Sequence, residues 1–152
     1  MIRQGAWLAI AVIVALAATA VAARSPPVAP AAAPSAWPPV TRRAELDARL
    51  AAARLAHRPV MIDFYADWCA ACRLLDRNTL ADREVAVALG RFAVVRVDTS
   101  DDDGDRSGLA ARFAVTKLPA LVFVGADGSV SPTRVTGYVG ARELLPVLRG
   151  VR

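Results

Sequence analysis

Cys69 and Cys72 are the only cysteines in the 152-residue chain, and they are spaced C-x-x-C within Tyr65-Ala66-Asp67-Trp68-Cys69-Ala70-Ala71-Cys72. A pair at that spacing can cycle between dithiol and disulfide. Three residues of separation put both side chains on one face if the segment is helical. At a helix start, free N–H groups and the helix dipole favour an anion. Cys69 is therefore expected to have a lowered thiol pKa and to attack as the thiolate. Cys72, one turn further in, is expected to be more shielded and to resolve the mixed disulfide. A structural disulfide and a metal site are the competing readings. Zinc takes about four ligands, whereas the chain offers two cysteines and one histidine, His57. The expected cofactor is none beyond the redox-active Cys69–Cys72 disulfide, and no metal is expected.

Such a dithiol needs a strand to deliver it and a helix to receive it. Val60-Met61-Ile62-Asp63-Phe64-Tyr65 reads as a buried strand, and Arg73-Leu74-Leu75-Asp76-Arg77 as a helix. Asp63 stands alone in the apolar run. A buried carboxyl loses hydration, so its pKa rises, and it could then exchange a proton with Cys72. Simple alternation would instead point it to solvent, although strands buried on both faces are apolar throughout. Asp76 lies four residues after Cys72, one turn along the same helix face. It is either a second acid of the site or a surface carboxylate beside Arg73 and Arg77. Asp67 and Trp68 flank the dithiol and are expected to shape its surface.

Three segments carry a family resemblance: Val60 to Cys72 (VMIDFYADWCAAC), Lys117-Leu118-Pro119, and Arg134-Val135-Thr136-Gly137-Tyr138. With them, residues 44–150 resemble the thioredoxin superfamily, and within it the C-terminal periplasmic domains of the DsbD thiol:disulfide interchange family. The resemblance implies an α/β thioredoxin fold with a mixed central sheet and helices on both faces. It also implies Cys69 as nucleophile, Cys72 as resolving thiol, and a cis Pro119 beside them, with Leu118 on the substrate surface. Asp63 and Asp76 match two acids of those domains. Val94 stands where many members carry a lysine that pairs with the buried acid, so Asp63 is expected to lack that partner.

Around these elements, Ala44–His57 reads as an amphipathic helix with Leu46, Leu50 and Ala53 on one face. His57 falls in the turn that follows. Asp82–Leu89 reads as a short helix capped by Asp82, and Phe92–Asp98 as a strand. Asp101–Asp105 lacks the key ligands of a calcium loop when Gly104 is set at its sixth position, so it reads as a solvated acidic loop. Ser107–Ala114 reads as a helix and Ala120–Val124 as a strand. Asp127-Gly128 forms a hairpin turn toward a strand at Thr133–Thr136. Ala141–Arg149 reads as a final helix that Pro146 should kink or shorten.

The net charge of +5 is unevenly placed. Residues 1–43 hold four arginines and no acid, which leaves 15 basic and 14 acidic groups after them. With no basic, aromatic-rich stripe, no nucleic-acid partner is expected. Residues 1–23 read as a targeting segment, with Arg3 ahead of the apolar run Ala6–Ala23. It is a cleaved signal peptide or an N-terminal membrane anchor. Residues 24–43 read as a Pro/Ala-rich linker, and residues 44–152 as the globular domain. A monomer is expected, periplasmic or otherwise extracytoplasmic, either soluble after cleavage or tethered to the inner membrane.

The leading functional expectation is a disulfide reductase that relays electrons from a separate membrane electron-donor protein to disulfide-bearing proteins. Ala70-Ala71 gives the thiolate no positive neighbour, which makes the dithiol more reducing. A disulfide oxidase or isomerase is the alternative. A metal-delivery module would want a histidine after the cysteines, and none follows them.

Overall fold

The computed structural model describes residues 30–101 and 104–152. The expected targeting segment and the start of the linker lie outside the described residues. The strands are β1 (Pro39–Val40), β2 (Val60–Tyr65), β3 (Ala93–Asp98), β4 (Ala120–Val124) and β5 (Val130–Thr136). They form one five-stranded sheet in the order β1-β3-β2-β4-β5. β3 pairs parallel with β1 and β2, while β4 runs antiparallel to β2 and β5. The helices are α1 (Arg43–Leu55), α2 (Ala70–Leu75), α3 (Arg83–Leu89), α4 (Gly104–Arg112) and α5 (Ala141–Gly150). The sheet is mixed, with helices on both faces: a thioredoxin fold.

Side chains alternate across a strand with a period of two, and that period sorts the core. Val60, Ile62 and Phe64 of β2 join Val95, Val97, Val122 and Val124 under Leu46 and Ala53 of α1 and Leu109 of α4. Met61 of β2 joins Leu121 and Phe123 under Leu75 of α2, Val85 and Leu89 of α3, and Leu144 and Leu148 of α5. Asp63 shares the parity of Met61, and Arg96 shares that of Val94. Both charged residues therefore lie on the face covered by α2.

The expected linker 24–43 is corrected at its C-terminal part. Pro34–Ala36 forms a short 3-10 turn with Pro34 buried, Trp37 is 9% exposed, and Pro39–Val40 is a strand of the sheet. The apolar content of Trp37 and Val40, set among prolines that restrict the chain, is enough to hold this piece on the core. Asp82 caps α3, its Oδ1 accepting from the Glu84 and Val85 N–H groups. The shortening expected at Pro146 does not occur, since α5 continues to Gly150. Leu144, Leu145 and Leu148 are buried there. At about 1.5–3 kcal/mol each, they outweigh the roughly 3 kcal/mol that an internal proline costs. Among the described residues no helix is long and apolar enough to cross a membrane.

Candidate functional site

β2 ends at Tyr65 and delivers the dithiol to α2 through a pinned loop. Asp67 N–H donates to Ser100 Oγ at 2.9 Å, Trp68 Nε1 donates to the Ser100 carbonyl at 3.2 Å, and Arg73 Nη1 donates to the Asp67 carbonyl at 2.6 Å. Cys69 is the N-cap of α2, and its Sγ accepts from the Cys72 N–H at 3.1 Å. This is the helix-start position that the spacing implies, and the same N–H would stabilise a Cys69 thiolate. The two cysteines are joined as a disulfide with 5.3 Å between Cα atoms. Cys69 is 6% and Cys72 2% exposed, so the second is the more shielded.

Ala66 clusters with Cys69 and Cys72, and Tyr65, Ala71 and Leu118 pack against them. The Leu118–Pro119 bond is cis, as the resemblance implies. The Pro119 carbonyl accepts the Gly137 N–H at 2.8 Å, which ties the proline loop to the end of β5. Trp68 is 68% exposed at the rim, an unusually open position for so large an apolar ring. Asp67 also sits in this exposed loop.

Beneath the rim lies a buried charged cluster. Asp63 is 1% exposed, so the solvent-facing alternative is excluded. Arg96, directly across on β3, places Nε 3.2 Å from Asp63 Oδ2 and Nη2 2.5 Å from Asp76 Oδ2. The guanidinium also sits 3.9 Å from the centroid of the Tyr65 ring. Asp76 opens the π-helical turn Asp76–Leu80 that continues α2. Arg96 thus ties the acid of β2 to the helix that carries Cys72.

Burial pushes the Asp63 carboxyl up from 3.8 to about 7; Arg96 opposes the shift and Asp76 adds to it. The close Arg96 charge lowers the pKa by less than burial raises it, and its Nε, though near, makes no hydrogen bond to Asp63. Among the described residues neither Asp63 oxygen has a hydrogen-bond partner. A carboxyl short of donors in a dry site favours its neutral form. Tyr65 is raised as well, first by burial and then by Asp98.

The sequence reading missed Arg96. The resemblance puts the partner of the buried acid at position 94, but the register pairs Val94 with Met61 and Arg96 with Asp63. The available signal was a lone cation inside the apolar run Ala93–Val97, at the parity of Val94. His57 lies in the exposed turn after α1, with φ of 50°. Among the described residues no group of three or more His, Cys, Asp or Glu side chains is placed to hold a metal ion.

A family model described as thioredoxin-like matches residues 41–126. The thiol:disulfide interchange protein DsbD of Ralstonia nicotianae is 39% identical over 105 residues, covering 69% of this chain and 17% of that protein. DsbD 1 of Pseudomonas aeruginosa is 36% identical over 121 residues, covering 79% of this chain and 20% of that protein. This chain thus spans about a fifth of the length of these curated relatives. Among solved structures, the oxidised C-terminal domain of Neisseria meningitidis DsbD superposes with a TM-score of 0.67 at 28% identity, covering 76% of this chain and all of that domain. A thioredoxin from Thermus thermophilus gives a TM-score of 0.60 at 30% identity, covering 74% and 83% of the two chains.

Proposed function

The chain belongs to the thioredoxin-like family, and on that premise we propose that it is a thiol:disulfide oxidoreductase working as a protein-disulfide reductase outside the cytoplasm. The observation that carries this reading is the Cys69–Cys72 disulfide at the start of α2, with Cys69 Sγ taking the Cys72 N–H.

In the reduced protein, the Cys69 thiolate attacks one sulfur of a substrate disulfide. The substrate S–S bond breaks, and its electron pair leaves with the other substrate sulfur, which takes up a proton. Cys72 then gives its proton to a base and attacks Cys69 Sγ, releasing the first substrate sulfur as the second thiol. Two electrons have passed to the substrate, and the chain is left as the disulfide present here. A dithiol of a membrane electron donor restores the reduced form by the same exchange run in reverse.

Asp63 is the proposed base for Cys72. A carboxyl held at about 7 can accept and return a proton near neutral pH, where a catalytic base is most useful. Trp68 and Leu118, beside the buried cis Pro119, form the apolar rim that a disulfide-bearing protein approaches. The location rests on the targeting segment expected over residues 1–23. A reporter active only in the cytoplasm, fused after Arg152, should be silent, and full activity would overturn the placement.

The direction of electron flow follows from Ala70-Ala71, which adds no cation beside the thiolate. Arg73, the basic residue of α2, is engaged with the Asp67 carbonyl. Equilibration with glutathione should give a potential of about −230 to −270 mV; a value near −120 mV would make the protein an oxidant instead. In cells, Cys72→Ala should accumulate mixed disulfides through Cys69, which identifies substrates and donor.

A further inference from the structure

A segment ahead of the matched family residues 41–126 reaches the buried cluster. β1 runs beside β3 with Pro39 in register with Arg96. Pro34, itself buried, offers a carbonyl that accepts from Arg96 Nη1 at 3.4 Å and from the Trp37 N–H at 3.1 Å. Trp37 packs into the core that holds Leu75 and Leu80, on the side of the dithiol helix. Val40 enters the core of the opposite face. A passive spacer would need none of these contacts.

We infer that the strap Pro34–Val40 is a positioning element of the redox site: it holds Arg96 between Asp63 and Asp76 and closes that cluster to water. The redox role rests on the function proposed above, whereas the positioning is a property of the folded chain. A guanidinium is a rigid planar fork of five N–H donors. Here its Nε faces Asp63, its Nη2 faces Asp76 and its Nη1 faces the strap. With Nη1 and Nη2 hydrogen-bonded to the strap and to Asp76, and Nε held 3.2 Å from Asp63 as an ion pair, it cannot swing toward one acid without releasing another partner. Among the described residues, the groups that can act on Asp63 are Arg96 from β3, Asp76 from the turn after α2, and Tyr65 two residues along its own strand. Leu121, in register on β4, is uncharged, and the joined cysteines do not titrate. Burial raises the Asp63 pKa by more than Arg96 lowers it, so water admitted by a loosened strap lowers the midpoint even as Arg96 is freed.

The test is the titration of the Asp63 carboxyl by carbon-13 NMR in the oxidised full-length chain, which needs no turnover. Trp37→Ala removes the anchor of the strap and leaves every member of the cluster in place. It should lower the Asp63 midpoint by about one pH unit, tenfold in proton affinity, and Trp37→Phe should restore it. Phe123→Ala, in the same core but on β4, which β3 and β2 separate from β1, should leave the midpoint unchanged. Should Trp37→Ala fail to fold, Pro34→Gly loosens the turn while keeping Trp37, and is read in the same way. An unmoved midpoint, or an equal shift in Phe123→Ala, overturns the inference. If Asp63 shifts while the pH profile of disulfide exchange does not follow, the positioning stands and the assignment of Asp63 as base for Cys72 fails.

Discussion

The two faces of the sheet are built from the same strands and differ in one respect. On the face under α1 and α4, β2, β3 and β4 present Val60, Ile62, Phe64, Val95, Val97, Val122 and Val124, all apolar. On the face under α2, α3 and α5, the run Met61, Val94, Leu121 and Phe123 is joined by Asp63 and Arg96. Burying a charged pair is costly and is seldom repaid in stability alone. The first face serves cohesion. The second gives up part of its cohesion at the place where the dithiol helix packs, and gains a titratable group near neutral pH.

The largest expected effect separates the faces by cohesion. Phe64→Ala empties a fully buried site and should cost about 3–5 kcal/mol. The loss should be similar at every pH, with the redox potential unchanged. Urea unfolding at several pH values checks this, and a loss confined to one pH range would erase the distinction.

Asp63 should give the opposite signature. Its pKa is raised on folding, so its stabilising contribution is complete below the ordinary value of 3.8 and is lost as pH rises through about 7. The gap between those values corresponds to a fall of at most roughly 4 kcal/mol. Unfolding free energies measured from pH 4 to 8 should show this slope in the native protein. Asp63→Asn should flatten it and should slow disulfide exchange above neutral pH. Superimposed exchange profiles for the two proteins would leave Asp63 a packing residue only.

The smallest effects sharpen the cluster itself. Asp76 raises the Asp63 pKa and Arg96 lowers it. Asp76→Asn should therefore move the Asp63 midpoint down, and Arg96→Met should move it up. Each should shift by up to about one pH unit, read by the same carboxyl titration. Shifts of the same sign would show that both substitutions act through general loosening.

The C-x-x-C spacing, the apolar run before it and the helix after it were legible without a structure, because each is a local pattern of period two or near 3.6. The strand Val60–Tyr65, the Asp82 cap and the helix-start position of Cys69 follow from such patterns alone. Long-range register is another matter. Which residue of β3 faces Asp63 depends on how two distant segments slide past each other. A shift of two residues keeps every side chain on its face. Parity therefore could not distinguish Val94 from Arg96 as the partner, and only the pairing did. Likewise, proline content marked residues 24–43 as extended, which holds for Pro39–Val40, whereas Pro34–Ala36 winds into a 3-10 turn. Whether extended chain stays in solvent or docks as a strand is decided by an open sheet edge at β3 and a core gap that Trp37 fills. Local composition carries neither of those facts.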